Sequence, residues 1–222
     1  MLSVMTQSVV RRRTRKPPEE RRAEMLTTAS ALASEEGLES LTLRRVADEL
    51  GVYPGLVSHY FQTVDELVVA AFRHAVTTES DQLYANVAGE PAPLDRLRRL
   101  LELLVSRERD GVSLLWLDAW SAFRHRPALA EEVTRLMAVD QQRLGDLIRD
   151  GVAAGQFTAA DPLAAASRIY SVIDGLTVLA AVGAEFDHAA VRELVFTNAE
   201  RELALPPGAL RSPVENDVTV IE

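Results

Sequence analysis

TLRRVADELGVYPGLVSHYF, residues 42–61, holds two helical signatures divided by a stop signal. Leu43, Val46, Ala47 and Leu50 recur at i, i+3, i+4 and i+7, one apolar stripe on a helix of two turns. Thr42 stands where its hydroxyl can cap free backbone N–H groups. Gly51 stands where a left-handed residue ends a helix. Pro54 then suits the first position of a second helix, where a missing N–H costs nothing. Val57 and Phe61 point one way from that helix, and Tyr53, Ser58 and His59 lie off their line. Short helix, glycine turn and second helix with a polar outer face is the helix-turn-helix arrangement, whose second helix enters a DNA major groove. The same spacing also suits an ordinary helical hairpin packed inside an all-α domain.

Composition bounds the rest. The chain has 222 residues, 47 % hydrophobic and 26 % charged, which predicts a packed core. It contains no cysteine, which excludes disulfides, thiolate zinc sites and cysteine nucleophiles. No apolar run reaches the length of a membrane span, and the first thirty residues lack a signal-peptide core. A cytoplasmic protein with no membrane partner is the expectation. The formal charge is −9, unevenly spread. Arg11, Arg12, Arg13, Arg15 and Lys16 cluster in residues 1–16 with no acid among them, whereas residues 17–70 carry four arginines against ten acids. Any attraction to DNA therefore comes from a local face and the N-terminal arm, which suits specific better than non-specific binding.

Residues 1–16 read as a flexible basic arm, equally a solvated tail or a DNA-tracking segment. Helix 1 is expected from Pro18 to Glu36, closed by Gly37, with Met25, Ala29, Leu32 and Ala33 inside. With the 42–61 pair it forms a three-helix unit, residues 17–62. Thr63-Val-Asp-Glu66 fits a capping box opening a long fourth helix that runs to about Ala88. Beyond the break at Gly89–Pro93, helices are expected over about 94–108, 112–125 and 127–154. Asp161-Pro162 opens an eighth, ending near Val182, and Asp187 caps a ninth. The fold class is all-α, an N-terminal helix-turn-helix domain plus a larger helical domain, residues 63–205, with about nine helices in total; residues 206–222 read as a disordered tail.

The run G-V-Y-P-G-L-V-S-H-Y-F, followed by T-V-D-E-L at Thr63–Leu67, resembles the signature of the TetR family of bacterial transcriptional regulators. The resemblance implies that the helix from Pro54 to Tyr60 lies in the major groove and that Thr42 meets phosphate at a helix N-terminus. It implies that Gly55 lets the backbone approach DNA closely, and that His59 and Tyr60 bond phosphates or base edges. Tyr60 is equally suited to be a rim aromatic of the core. Arg44 and Arg45 sit in the first turn of helix 2, where the dipole disfavours cations and a phosphate would relieve the misfit. Thr63 completes the expected DNA-facing set with Tyr53, Pro54 and Ser58. Three positions depart from the family pattern: Tyr53 replaces a capping Ser or Thr, Ser58 a frequent Tyr, and Val64 a common phosphate-binding Lys. Loss of that Lys lowers the salt dependence of binding by about one ion. Tyr53 is instead a candidate reader of bases.

The segment Leu114–Leu129 (LLWLDAWSAFRHRPAL), Ile173-Asp-Gly-Leu176 and the S-H-Y-F form resemble the betaine-regulator subgroup of the family. That implies an inducer pocket within helices 4 to 8 and pairing with a second subunit through the last two helices. The subgroup ligand, choline, is a cation that suits aromatic rings. Trp116, Trp120 and Phe123 recur at i, i+4 and i+7, and with Asp174 and Tyr170 are the candidate ligand residues. A plain core stripe explains the aromatics as well, and Asp118 lies off their face. Inducer identity does not follow from the sequence.

Helix 8 is apolar on most sides and helix 9 adds a further apolar stripe, so more surface needs cover than one chain core requires. Leu163, Ile169, Leu176, Leu179, Val191, Leu194 and Val195 are therefore expected in a two-fold homodimer, which would place two recognition helices about one DNA turn apart on a palindromic operator. No catalytic set is expected: the four histidines are scattered, and no metal-spaced cluster, phosphate loop or nucleophile elbow occurs. Asp81, Glu90 and Asp140 read as solvated helix positions. No cofactor or metal is expected. The leading expectation is a ligand-released repressor; a helical adaptor that has lost DNA binding is the alternative.

Overall fold

The computed structural model describes residues 16–106, 109–181 and 188–211. Arg11, Arg12, Arg13, Arg15, Val182, Asp187 and residues 212–222 lie outside that set, as does the side chain of Val191. Among the described residues the chain is helical with no strand: α1 (Pro18–Glu36), α2 (Leu43–Leu50), α3 (Pro54–Tyr60), α4 (Val64–Val87), α5 (Pro93–Leu104), α6 (Asp110–Ala122), α7 (Pro127–Ala153), α8 (Pro162–Ala181) and α9 (His188–Glu202).

Local chemistry sets the early boundaries. Thr42 Oγ1 accepts the Arg45 N–H at 2.9 Å, and Gly51, at φ 61°, ends α2 in the left-handed region. Thr63 Oγ1 accepts the Glu66 N–H at 3.0 Å, while the Glu66 carboxylate reaches back to the Gln62 N–H at 2.8 Å, so both ends of the α4 cap are satisfied. Asp161 caps α8 by accepting from the N–H groups of Leu163 and Ala164, each at 3.0 Å.

Two apolar cores result. The first joins Met25, Val46, Val57 and Phe61 of the three-helix unit to Leu67 and Phe72 of α4, Leu115 and Trp116 of α6, and Leu129 and Val133 of α7. Packing is therefore continuous across the 62/63 division, because the three short helices alone bury too little surface to stand. Ser30 of α1 adds a buried hydrogen bond to the Ala71 carbonyl of α4 at 3.0 Å. The second core holds Leu97, Leu100 and Leu101 of α5, Leu144 and Ile148 of α7, Ile169 and Ile173 of α8, Val195 of α9, and Leu203 just past its end. Beside the first core, Glu132 of α7 takes a two-point contact from Arg73 of α4 at 2.8 and 2.7 Å and two further hydrogen bonds from Arg135. Burial works against that carboxylate's charge, yet the two guanidiniums outweigh it and hold its pKa down to about 2.

Several expectations need correction. Helix α5 stops at Leu104 rather than 108, since the chain turns at Val105 and Arg109 bends back to donate to the Leu104 carbonyl. Helix α6 starts at Asp110 and ends at Ala122. The tail does not begin at 206: Leu210 is fully buried, and its N–H donates to the buried Glu200 carboxylate at 3.0 Å. An apolar side chain three residues beyond the prolines was overlooked among turn-forming neighbours.

Candidate functional site

The outer face of α2 and α3 is built by what their inner faces must bury. Val57 and Phe61 are fully buried, which fixes the rotation of α3 and turns Tyr53, Pro54, Gly55, Ser58 and His59 outward. Tyr53 stands 87 % exposed, a large ring that none of the described residues covers. A Cβ on Gly55 would meet nothing, so the chain's own packing does not demand glycine there. Ser58 donates to the Pro54 carbonyl at 3.1 Å, leaving its oxygen free to accept. The His59 ring stands nearly perpendicular to that of Tyr60, centroids 5.4 Å apart, and Tyr60 packs half-buried against the first core. Thr42 and Thr63 accept with their side-chain oxygens as caps, and both residues stay exposed.

The two arginines of α2 differ in availability. Arg44 is loosely paired with Asp48 at 3.7 Å and remains open to solvent. Arg45 is held by Glu36 at 2.6 Å and by Glu49 at 2.8 Å, so the dipole misfit read from the sequence is relieved inside the chain. Val64 packs partly buried on the first core and is no substitute for a phosphate-binding cation.

A second feature lies some distance behind this face. Helices α4, α6, α7 and α8, with Leu104 and Arg109, line a narrow cavity that opens to solvent. Trp116 and Trp120 form one wall, their rings 5.8 Å apart. Tyr84, Tyr170 and Asp174 face it, with Glu79, Ser80 and Asp140 from α4 and α7. Of the expected ligand residues, Trp116, Trp120, Tyr170 and Asp174 are brought together there. Phe123 is not: the last turn of α6 tightens, its N–H bonding to Trp120 three residues back, and the ring ends 45 % exposed. Tyr84, Glu79, Arg109 and Asp140 were missed. They come from helices far apart in sequence, and the one available signal was polar Ser80 and Tyr84 set among the apolar positions of α4.

The cavity is electrostatically loaded. Arg109 grips Glu79 at 2.6 and 3.1 Å; burial opposes its charge, but the carboxylate prevails and its pKa is raised. Ser80 donates to Asp140 at 2.8 Å, and burial still raises that carboxyl's pKa. Asp174 has no hydrogen bond or ion pair among the described residues, and burial, then the nearby Asp140, push its pKa up to about 6. The Tyr84 hydroxyl is buried beside that of Tyr170 without reaching hydrogen-bond geometry, and burial raises both phenols.

One element serves both features. On α6, Trp116 lines the cavity and stands edge-on to Phe72 of the first core, centroids 5.2 Å apart. Two residues on, Asp118 accepts the Leu38 N–H at 2.9 Å, in the turn between α1 and α2. Gly37, at φ 87°, lets that turn approach Asp118; a Cβ there would sit 2.9 Å from the carboxylate oxygen.

Of the expected dimer residues, Leu163, Leu179 and Leu194 are 42, 39 and 51 % exposed, joined by Val178. Ile169 and Val195 are fully buried and Leu176 nearly so. Those three belong to the chain's own second core, because α8 packs against α6, α7 and α9 and needs apolar residues on those sides.

Comparison with known proteins places the chain in a family. Residues 25–71 match the model for bacterial regulatory proteins of the tetR family, and residues 93–204 match that for the C-terminal part of BetI-type transcriptional repressors. The HTH-type transcriptional regulator BetI of Burkholderia thailandensis is 32 % identical over 200 residues, 85 % of this chain and 95 % of that protein. The BetI of Paraburkholderia phymatum is 33 % identical over 189 residues, 79 % and 89 % of the two chains. A TetR-family regulator structure from Rhodococcus sp. superposes with TM-score 0.73 at 22 % identity, covering 83 % of this chain and 99 % of its own. A transcriptional regulator from Saccharomonospora viridis, solved in complex with choline, gives 0.71 at 23 %, with 83 % and 98 % covered. The chain belongs to the TetR family of DNA-binding bacterial transcriptional regulators, with a BetI-type C-terminal half, and is not an enzyme.

Proposed function

We propose that this protein is a cytoplasmic homodimeric repressor that leaves a palindromic operator when a small organic cation fills the cavity. The observation that carries the reading is the double duty of α6, which walls the cavity with Trp116 and Trp120 and ties Asp118 to the turn ahead of α2. A ligand that parts the tryptophans moves the same helix that positions the reading unit. Two recognition helices must meet successive major grooves, so a small change in their separation costs several-fold or more in affinity. Leu163, Val178, Leu179 and Leu194 are the exposed apolar residues of α8 and α9 through which two copies would pair. Thr42, Arg44, Tyr53, Pro54, Gly55, Ser58, His59 and Thr63 form the proposed DNA face. Arg45 contributes only where phosphate displaces its glutamates, and Tyr60 contributes through its rim.

A cation fits the aromatic wall and the surplus of carboxylates, and the choline-bound relative from Saccharomonospora viridis supports that class. The adaptor alternative draws on the acidic charge and on Val64. Selection of duplexes from a random library by the purified protein separates the two: a repressor enriches an inverted repeat, whereas an adaptor enriches nothing.

A further inference from the structure

The charges around the cavity do not cancel. Arg109 is committed to Glu79, and Arg143 to Asp81 and the Ser80 hydroxyl, with its guanidinium 5.1 Å above the Tyr84 ring. Those two pairs use both arginines. Asp140 and Asp174 remain: the first accepts from one hydroxyl, the second makes no hydrogen bond or ion pair among the described residues, and Arg109 acts on both only from a distance. Two half-buried carboxylates that no cation contacts directly are costly, and Asp140 raises the affinity of Asp174 for a proton. Beside them the buried Tyr84 oxygen has the Tyr170 hydroxyl close by but no well-formed hydrogen bond.

The shape of the deficit indicates the ligand. Among the described residues, no three carboxylates or imidazoles converge as they would on a metal ion, and the two unpaired carboxylates come from different helices, α7 and α8. One singly charged ion can neutralise one of them only. A quaternary ammonium also has no N–H to give, and would leave the carboxylate lone pairs and the Tyr84 oxygen unsatisfied. A ligand with two protonated amines joined by a short alkyl chain meets every requirement. Its ends donate charged hydrogen bonds, and its methylenes lie against Trp116 and Trp120.

Resting on the reading of this cavity as the inducer site, we propose that it accepts a linear alkyl diamine, doubly protonated, one ammonium at Asp174 and the other at Asp140 beside the Tyr84 hydroxyl. Choline would then be a poor ligand for this chain.

Isothermal titration of the full-length protein with diaminobutane, butylamine and choline tests this, with operator binding measured on the same preparation. Diaminobutane should bind once per chain, at least about tenfold more tightly than butylamine or choline, since each added charge pair in a desolvated site is worth that much. Asp174→Asn should bring diaminobutane down to the level of butylamine. Equal or tighter binding of choline would overturn the diamine, as would indifference to Asp174→Asn, or the absence of heat with all three cations. The wild-type comparison needs no variant to fold. Operator binding that persists through any of these outcomes keeps the regulator itself standing.

Discussion

Tyr53 shows most plainly where packing and recognition part company. A ring left 87 % exposed contributes little to the fold, and Tyr53→Ala should leave thermal stability unchanged within about 0.5 kcal/mol. If the ring touches bases or phosphate, the same change should weaken operator binding by about 1–3 kcal/mol, read by fluorescence anisotropy on a selected duplex. Arg45 is the opposite case. Its sequence position suggested a phosphate ligand, but Glu36 and Glu49 already hold it. Glu36→Gln combined with Glu49→Gln should free that charge. Binding to random duplex should then strengthen, and its salt dependence should steepen by about one ion, measured across a salt series. These residues were legible as surface or cap because Thr42, Gly51, Pro54 and Thr63 act within one helical turn. Their partners nine residues away, or on another helix, were not.

At the scale of elements, α4, α6 and α7 are joined by polar contacts more than their apolar stripes suggest. Glu132, buried at 5 % exposure, is held by Arg73 and Arg135 with its pKa lowered to about 2 against an ordinary 4.5. A carboxylate depressed in the folded state adds stability that is full above pH 4.5 and disappears as pH falls toward 2. Glu132→Gln should therefore cost about 1–3 kcal/mol at neutral pH, and the gap from wild type should close on acidification, followed by chemical denaturation at several pH values. The Asp118 link to Leu38 belongs to the same scale. Asp118→Ala leaves a half-buried N–H unpaired, which should cost about 1 kcal/mol, the low end of such losses. Operator affinity should stay within a few-fold while release by a bound ligand weakens, because α6 then moves without pulling the turn. Neither contact was readable beforehand: Glu132 and Asp118 look like any charged residue on a helix, and only the tertiary arrangement supplies Arg73 or the Leu38 N–H.

For the whole molecule, helix number and order followed from caps, prolines and periodicity, which are local. The cavity did not, since Glu79, Arg109, Asp140 and Asp174 converge only after four helices have packed. The apolar residues of α8 and α9 are divided: Ile169, Leu176 and Val195 are buried in the chain's own core, whereas Leu163, Val178, Leu179 and Leu194 stay exposed. A helix apolar all round announces that it is covered, without saying by which neighbour. The first core runs without a break from Met25 to Leu136 and so joins the three-helix unit to α4, α6 and α7. Pairing two such chains fixes the distance between their α3 helices. The most direct measurement inserts about five base pairs, half a DNA turn, between the half-sites of the selected operator and compares affinities. A rigid dimer bridging successive grooves should lose binding by about a hundredfold or more. Unchanged affinity on the lengthened site would contradict paired reading by two fixed helices.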